Sequence, residues 1–102
     1  ILEAIAYIRA HACDGLTARA VVAQIGGSRR LAELRFREAV GHSIHDEIES
    51  VRMERVLRLL QDRTVGLPVV IDQSGYPSAA ALRKAFRLRT GKSLLAWRAA
   101  NA

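Results

Sequence analysis

The chain holds one cysteine, two prolines and only five aromatic side chains in 102 residues. Cys13 alone excludes an internal disulfide, and one cysteine is too few for a cysteine-based structural zinc site. The sequence around it signals no general base for a thiol nucleophile, which argues against a thiol enzyme. So few prolines, with seven glycines, exclude collagen-like or linker-like character. So few aromatics make a stacking surface for single-stranded nucleic acid unattractive. No apolar run approaches the ~18–20 residues that span a bilayer. No signal-peptide pattern is visible in the sequence, and the chain is expected to be a piece of a longer protein. Half of the residues are apolar, which excludes a wholly disordered chain and leaves one small, basic, helical domain.

The net charge of +6 is unevenly placed. Residues 1–27 are neutral, 28–40 carry +2, 41–61 carry −1, 62–77 carry −1 and 78–102 carry +6. Two basic blocks of this kind suit a polyanion through phosphate neutralisation and counterion release. They also suit a solvated helix face that does no more than keep the domain soluble.

Self-comparison at an offset of 50 residues finds a repeat. Phe36-Arg37, Gly41 and Ser43 recur as Phe86-Arg87, Gly91 and Ser93, and Ser28 pairs with Ser78. The shared pattern is Ser-x3-apolar-x3-Phe-Arg-x3-Gly-x-Ser-apolar. Two copies are too few for a solenoid, so one supersecondary unit is used twice.

Periodicity, caps and breakers predict an all-α chain of about seven helices. Leu2, Ile5, Ala6, Ile8 and Ala12 suggest a first helix over 2–12, ended at Asp14-Gly15. Thr17 caps a helix over 18–25 and Ser28 one over 29–40, stopped by Gly41. On the last of these, Ala32, Phe36, Ala39 and Val40 share the apolar face, while Arg30, Glu33, Leu34 and Arg37 lie opposite. A short helix, a Gly-containing turn and a basic outer helix make a helix-turn-helix pattern. Ser43 opens an amphipathic helix over 44–61, acidic early and basic late, as the macrodipole favours. The segment 67–73 has strand-like composition. The repeat demands a helix there, with Pro68 at its first position. Ser78 caps 79–90, with Leu82 and Phe86 inward and Ala80, Arg83, Lys84 and Arg87 outward, and Ser93 opens a last helix with Leu94, Leu95 and Trp97.

Read in order, these residues resemble the DNA-binding domain of the AraC/XylS family of bacterial transcription regulators. The likeness rests on Val21-Val22, Gly26, Ser28, Phe36 and Gly41, then on Ile48-x3-Arg52-Met53-x2-Val56-x2-Leu59-Leu60. It continues through Gly75-Tyr76, Phe86, Gly91 and Trp97-Arg98. Positions where the family usually carries a small residue hold Val22 and Ile71. Tyr7-Ile8-Arg9-Ala10-His11-Ala12-Cys13, Ser43-Ile44-His45 and Gly75-Tyr76-Pro77-Ser78 are similar to segments of the family's sugar-operon activators, which implies a sugar-binding domain ahead of this one.

The resemblance implies two helix-turn-helix units, 1–42 and 62–102, joined by a linker helix, 43–61. Positions two, five and six after each capping serine would face bases: Arg30, Glu33, Leu34, Ala80, Arg83 and Lys84. Arg30 and Arg83 suit bidentate contact with guanine, Glu33 suits a cytosine amino group, and Leu34 and Ala80 suit a thymine methyl. Ser28, Arg29, Arg37, Ser78, Arg87, Arg89 and Lys92 would meet the DNA backbone. Eighteen helical residues span roughly 27 Å, against about 34 Å between successive major-groove segments on one face. A monomeric domain would then read a non-palindromic bipartite site of double-stranded DNA, with slight bending. The Ala79-Ala80-Ala81 run makes the second unit the less discriminating one by expectation. Homodimeric parents on direct repeats, a contact with RNA polymerase and a place in the bacterial cytoplasm and nucleoid follow from the same likeness. The rival reading is a helical protein-interaction module with a basic face. His42, His45, Asp46 and Glu47 offer too few ligands for a metal site. Tyr76 and Trp97 fit turn and core anchors. No enzyme, cofactor, metal or membrane role is expected.

Overall fold

Five hydroxyl side chains set where helices begin in the computed structural model, which describes all of residues 1–102. Thr17, Ser28, Ser43, Ser78 and Ser93 each accept a hydrogen bond from the backbone N–H three residues on, at 3.1–3.2 Å. Each satisfies one of the donors that a helix start leaves without an intrahelical partner. They open α2 (Ala18–Ile25), α3 (Arg29–Val40), α4 (Ile44–Gln61), α6 (Ala79–Thr90) and α7 (Leu94–Asn101). The remaining helices are α1 (Leu2–His11) and α5 (Leu67–Gln73), and there is no strand. Gly41 and Gly91 stop α3 and α6 in the left-handed region at φ 94° and 74°. No atom stands within 4 Å of a Cβ added at either, so the backbone and not space demands glycine.

The chain forms two compact units, Ile1–Val51 and Arg52–Ala102. In the first, Ala4, Ile8, Ala12, Leu16, Val21, Phe36, Ile44 and Ile48 make the core. In the second, Met53, Val56, Leu60, Val70, Leu82, Phe86 and Leu94 do so. The two units divide inside α4. Its N-terminal half supplies apolar residues to one core and its C-terminal half to the other. The repeat is therefore one of packing as well as of sequence: Phe36 and Phe86 are fully buried, as are Ala32 and Leu82. Phe86 meets Trp97 edge-to-face at 6.2 Å, which fixes α7 on α6.

Three expectations change. On α1 the inward stripe is Ala4 and Ile8, with Ile5 half-buried against the same core and Ala12 continuing it just past the helix end; Leu2 is 84% exposed and Ala6 is exposed. A helix that is apolar nearly all round has no hydrophobic phase to read, and the close-packed side turns out to take alanine. Ala39 lies in solvent although its helix neighbours Ala32 and Phe36 are buried. Pro68 is the second residue of α5, after Leu67, where its missing N–H is equally harmless. The segment 67–73 is helical despite its strand-like composition, and Val70 is its fully buried anchor.

Candidate nucleic-acid interface

Each buried phenylalanine points one side of its helix inward and so turns the other side out. On α3, Arg29, Arg30, Leu34 and Arg37 are exposed, and Leu34 is 51% exposed despite being apolar. On α6, Ala80, Arg83, Lys84, Arg87 and Arg89 are exposed. No acidic residue lies on α6, whereas α3 carries Glu33 and Glu38. The outer faces are thus cationic, on helices of 12 residues each, long enough to be inserted into a groove. Leu88, 80% exposed and four residues after Lys84, extends the outer side of α6 and was not signalled by the repeat.

The backbone-facing candidates are also at the surface. Ser28, Ser78 and Lys92 are exposed. The Ser28 and Ser78 hydroxyls already accept from Leu31 and Ala81, and they mark helix starts whose N–H groups favour anions. In the second unit a cleft of about 240 Å³ lies beside α6, lined by Leu67, Ile71, Leu94 and Leu95 together with Arg83, Arg87 and Ser93.

Glu33 stands apart from the other five base-facing candidates. Its side chain is half-buried, and its Oε2 accepts from the Ile44 N–H at 3.4 Å. Sequence spacing gave no signal for that link across 11 residues. Two other tertiary links were equally silent. The Arg98 guanidinium donates to the carbonyls of Leu60, Leu59 and Asp62 at 3.0, 3.4 and 3.3 Å. Arg52, buried, lies 5.6 Å from the centre of the Tyr76 ring. Tyr76 and Trp97 are thereby occupied within the second unit. His42 Nε2 is 2.5 Å from Glu47 Oε2, and His11 faces Asp14 at 3.8 Å. No three His, Cys, Asp or Glu side chains converge as a metal site would require.

A family model described as a helix-turn-helix domain matches residues 21–100. The chain belongs to that family. It is an AraC-type DNA-binding domain family of transcription regulators and not an enzyme family. Among curated relatives, the xylose operon regulatory protein of Escherichia coli K12 is 34% identical over 87 residues, which are 85% of this chain. The chain spans about a fifth of that relative's length, 22%. Among solved structures, the DNA-binding domain of AdpA, a global transcriptional factor in complex with a target DNA, superposes with a TM-score of 0.88 at 29% identity. That match covers 97% of this chain and 89% of the other. The xylose-binding transcription activator xylR gives 0.79 at 32% identity, over 97% of this chain and 26% of the other. An all-α AraC-type helix-turn-helix fold is therefore what the sequence encodes. No helix is long and apolar enough to cross a membrane.

Proposed function

We propose that this chain binds double-stranded DNA sequence-specifically, as the reading part of a bacterial transcription regulator that works in the cytoplasm. The carrying observation is a fold shared over 97% of the chain with a domain solved on its target DNA, joined to cationic outer faces at α3 and α6. Helices α3 and α6 serve as recognition helices in successive major grooves, with 43–61 joining the reading units 1–42 and 62–102. Arg30, Leu34, Ala80, Arg83 and Lys84 meet base edges. Ser28, Arg29, Arg37, Ser78, Arg87, Arg89 and Lys92 meet phosphates and hold the register.

The parent protein is a sugar-responsive regulator of the xylose-operon type, a homodimer that also touches RNA polymerase. Similarity to the xylose operon regulatory protein supports the sugar-responsive part, while dimerisation and the polymerase contact rest on the family likeness alone.

Selection of bound duplexes from a random library tests the reading. The expected product is a non-palindromic site with two contacted segments. Arg30→Ala and Arg83→Ala should each flatten preference at one base pair, by about 1–3 kcal/mol. A uniform loss across all sequences assigns that arginine to phosphate instead. Protection of a single helical turn per domain refutes the two-groove arrangement, and no selected sequence at all favours a protein-interaction module.

A further inference from the structure

The repeat makes position five after the capping serine comparable in the two units, and the two side chains there are opposite in kind. In the first unit it is Glu33, in the second Arg83. Ile44 is the first residue of α4 and is fully buried. Its N–H precedes the intrahelical ladder, and water cannot replace a missing acceptor there. The local cap does not serve it: the Ser43 hydroxyl takes the N–H of Asp46, and the Ser43 carbonyl takes that of Glu47. Glu33 Oε2 is the acceptor, in a long bond of 3.4 Å, just beyond the usual range. In the second unit the matching helix start is Leu94, also buried. Arg83 carries only donors and cannot serve it. It is exposed and lines the cleft beside α6 with Arg87 and Ser93.

We infer that Glu33 is a positioning residue that fastens recognition helix α3 to the start of α4, while its repeat counterpart Arg83 is a base-reading residue. The inference rests on the DNA-binding reading above. It makes the two units unequal readers: position five contributes sequence information only in the second. That shifts discrimination toward the unit that its alanine run had marked as the weaker reader.

The test compares Glu33→Ala, Glu33→Gln and Arg83→Ala in the 102-residue chain. Amide hydrogen exchange in the DNA-free protein reads the link directly. Exchange at Ile44 should rise about two- to fivefold in Glu33→Ala, the lower part of the range given by a lost helix-start acceptor, and stay near wild type in Glu33→Gln, which keeps a carbonyl oxygen. Duplex selection then reads the role. Glu33→Ala should weaken preferred and mismatched duplexes by one common factor, Glu33→Gln should restore affinity, and neither should alter preference at any base pair. Arg83→Ala should flatten exactly one base pair. A changed preference in either Glu33 variant overturns the inference, as does unaltered Ile44 exchange in Glu33→Ala. Wild-type protein that selects no duplex overturns the DNA-binding reading and the positioning role together, and the exchange result still reports whether the hydrogen bond exists.

Discussion

Arg98 offers the sharpest stability experiment. At the end of α4 the Leu59 carbonyl accepts from the Asp62 N–H at 3.2 Å, and just past the helix the Asp62 carbonyl accepts from the Val65 N–H at 3.1 Å. The Arg98 guanidinium, half-buried on α7, donates to Leu60 at 3.0 Å and to Leu59 and Asp62 at 3.4 and 3.3 Å. Only the first lies within the usual distance range. A charge-assisted bond of that kind contributes about 1.5 kcal/mol, and the two longer ones together about 0.5–1, since the Leu59 and Asp62 carbonyls also accept a backbone N–H. Arg98→Ala should therefore destabilise the chain by about 2 kcal/mol. For roughly 100 residues that lowers Tm by about 8–16 °C. Arg98→Lys keeps a cation at the helix C-terminus, worth about 0.3–1 kcal/mol, and loses the fork, so it should recover less than half. Urea unfolding should show a lower midpoint at unchanged slope. A loss under about 0.5 kcal/mol for alanine, or a lysine variant equal to wild type, would refute the idea that this fork holds α7 against the end of α4.

Two further outcomes are expected. Arg37→Ala and Arg87→Ala should each lower the slope of log affinity against log salt by about 1 without changing base preference, measured by fluorescence anisotropy at several salt concentrations. The Asp62 carboxyl is held below its ordinary range first by the Thr64 hydroxyl, then by the Thr64 N–H, with a smaller pull from Arg98. A lowered carboxylate pKa adds stability above the unfolded-state value and loses it as pH falls through the folded one. Thr64→Val should accordingly raise the Asp62 pKa in an NMR titration and reduce the acid-range pH dependence of stability; an unmoved titration contradicts the assignment.

Much of the architecture was legible because its signals are local. A hydroxyl at the first turn, a glycine at the last and a recurring Phe-Arg pair mark helices within a dozen residues of sequence, and the repeat decided α5 against its valine-rich composition. The outward placement of Arg30, Arg83, Lys84 and Arg87 follows from the same phase, since Phe36 and Phe86 fix which side is buried. What escaped was either unphased or distant. Alanine fits both sides of a helix, so the sequence could not tell that Ala4 faces in and Ala6 and Ala39 face out. Glu33 sits on the polar side of α3 by the wheel, yet its carboxylate belongs to a helix start 11 residues away. The reach of Arg98 across 38 residues has no sequence period to announce it.

Because α4 is shared, neither loop that flanks it is a clean place to part the chain. A break before Ile44 would strip Ile44 and Ile48 from the interior of the first half, and one after Gln61 would strip Met53, Val56 and Leu60 from the second. Recombination or proteolysis at those loops would thus leave one partner hollow. The duplicated reader travels as an indivisible pair, and shuffling one half for another would require a donor that brings half of the helix with it.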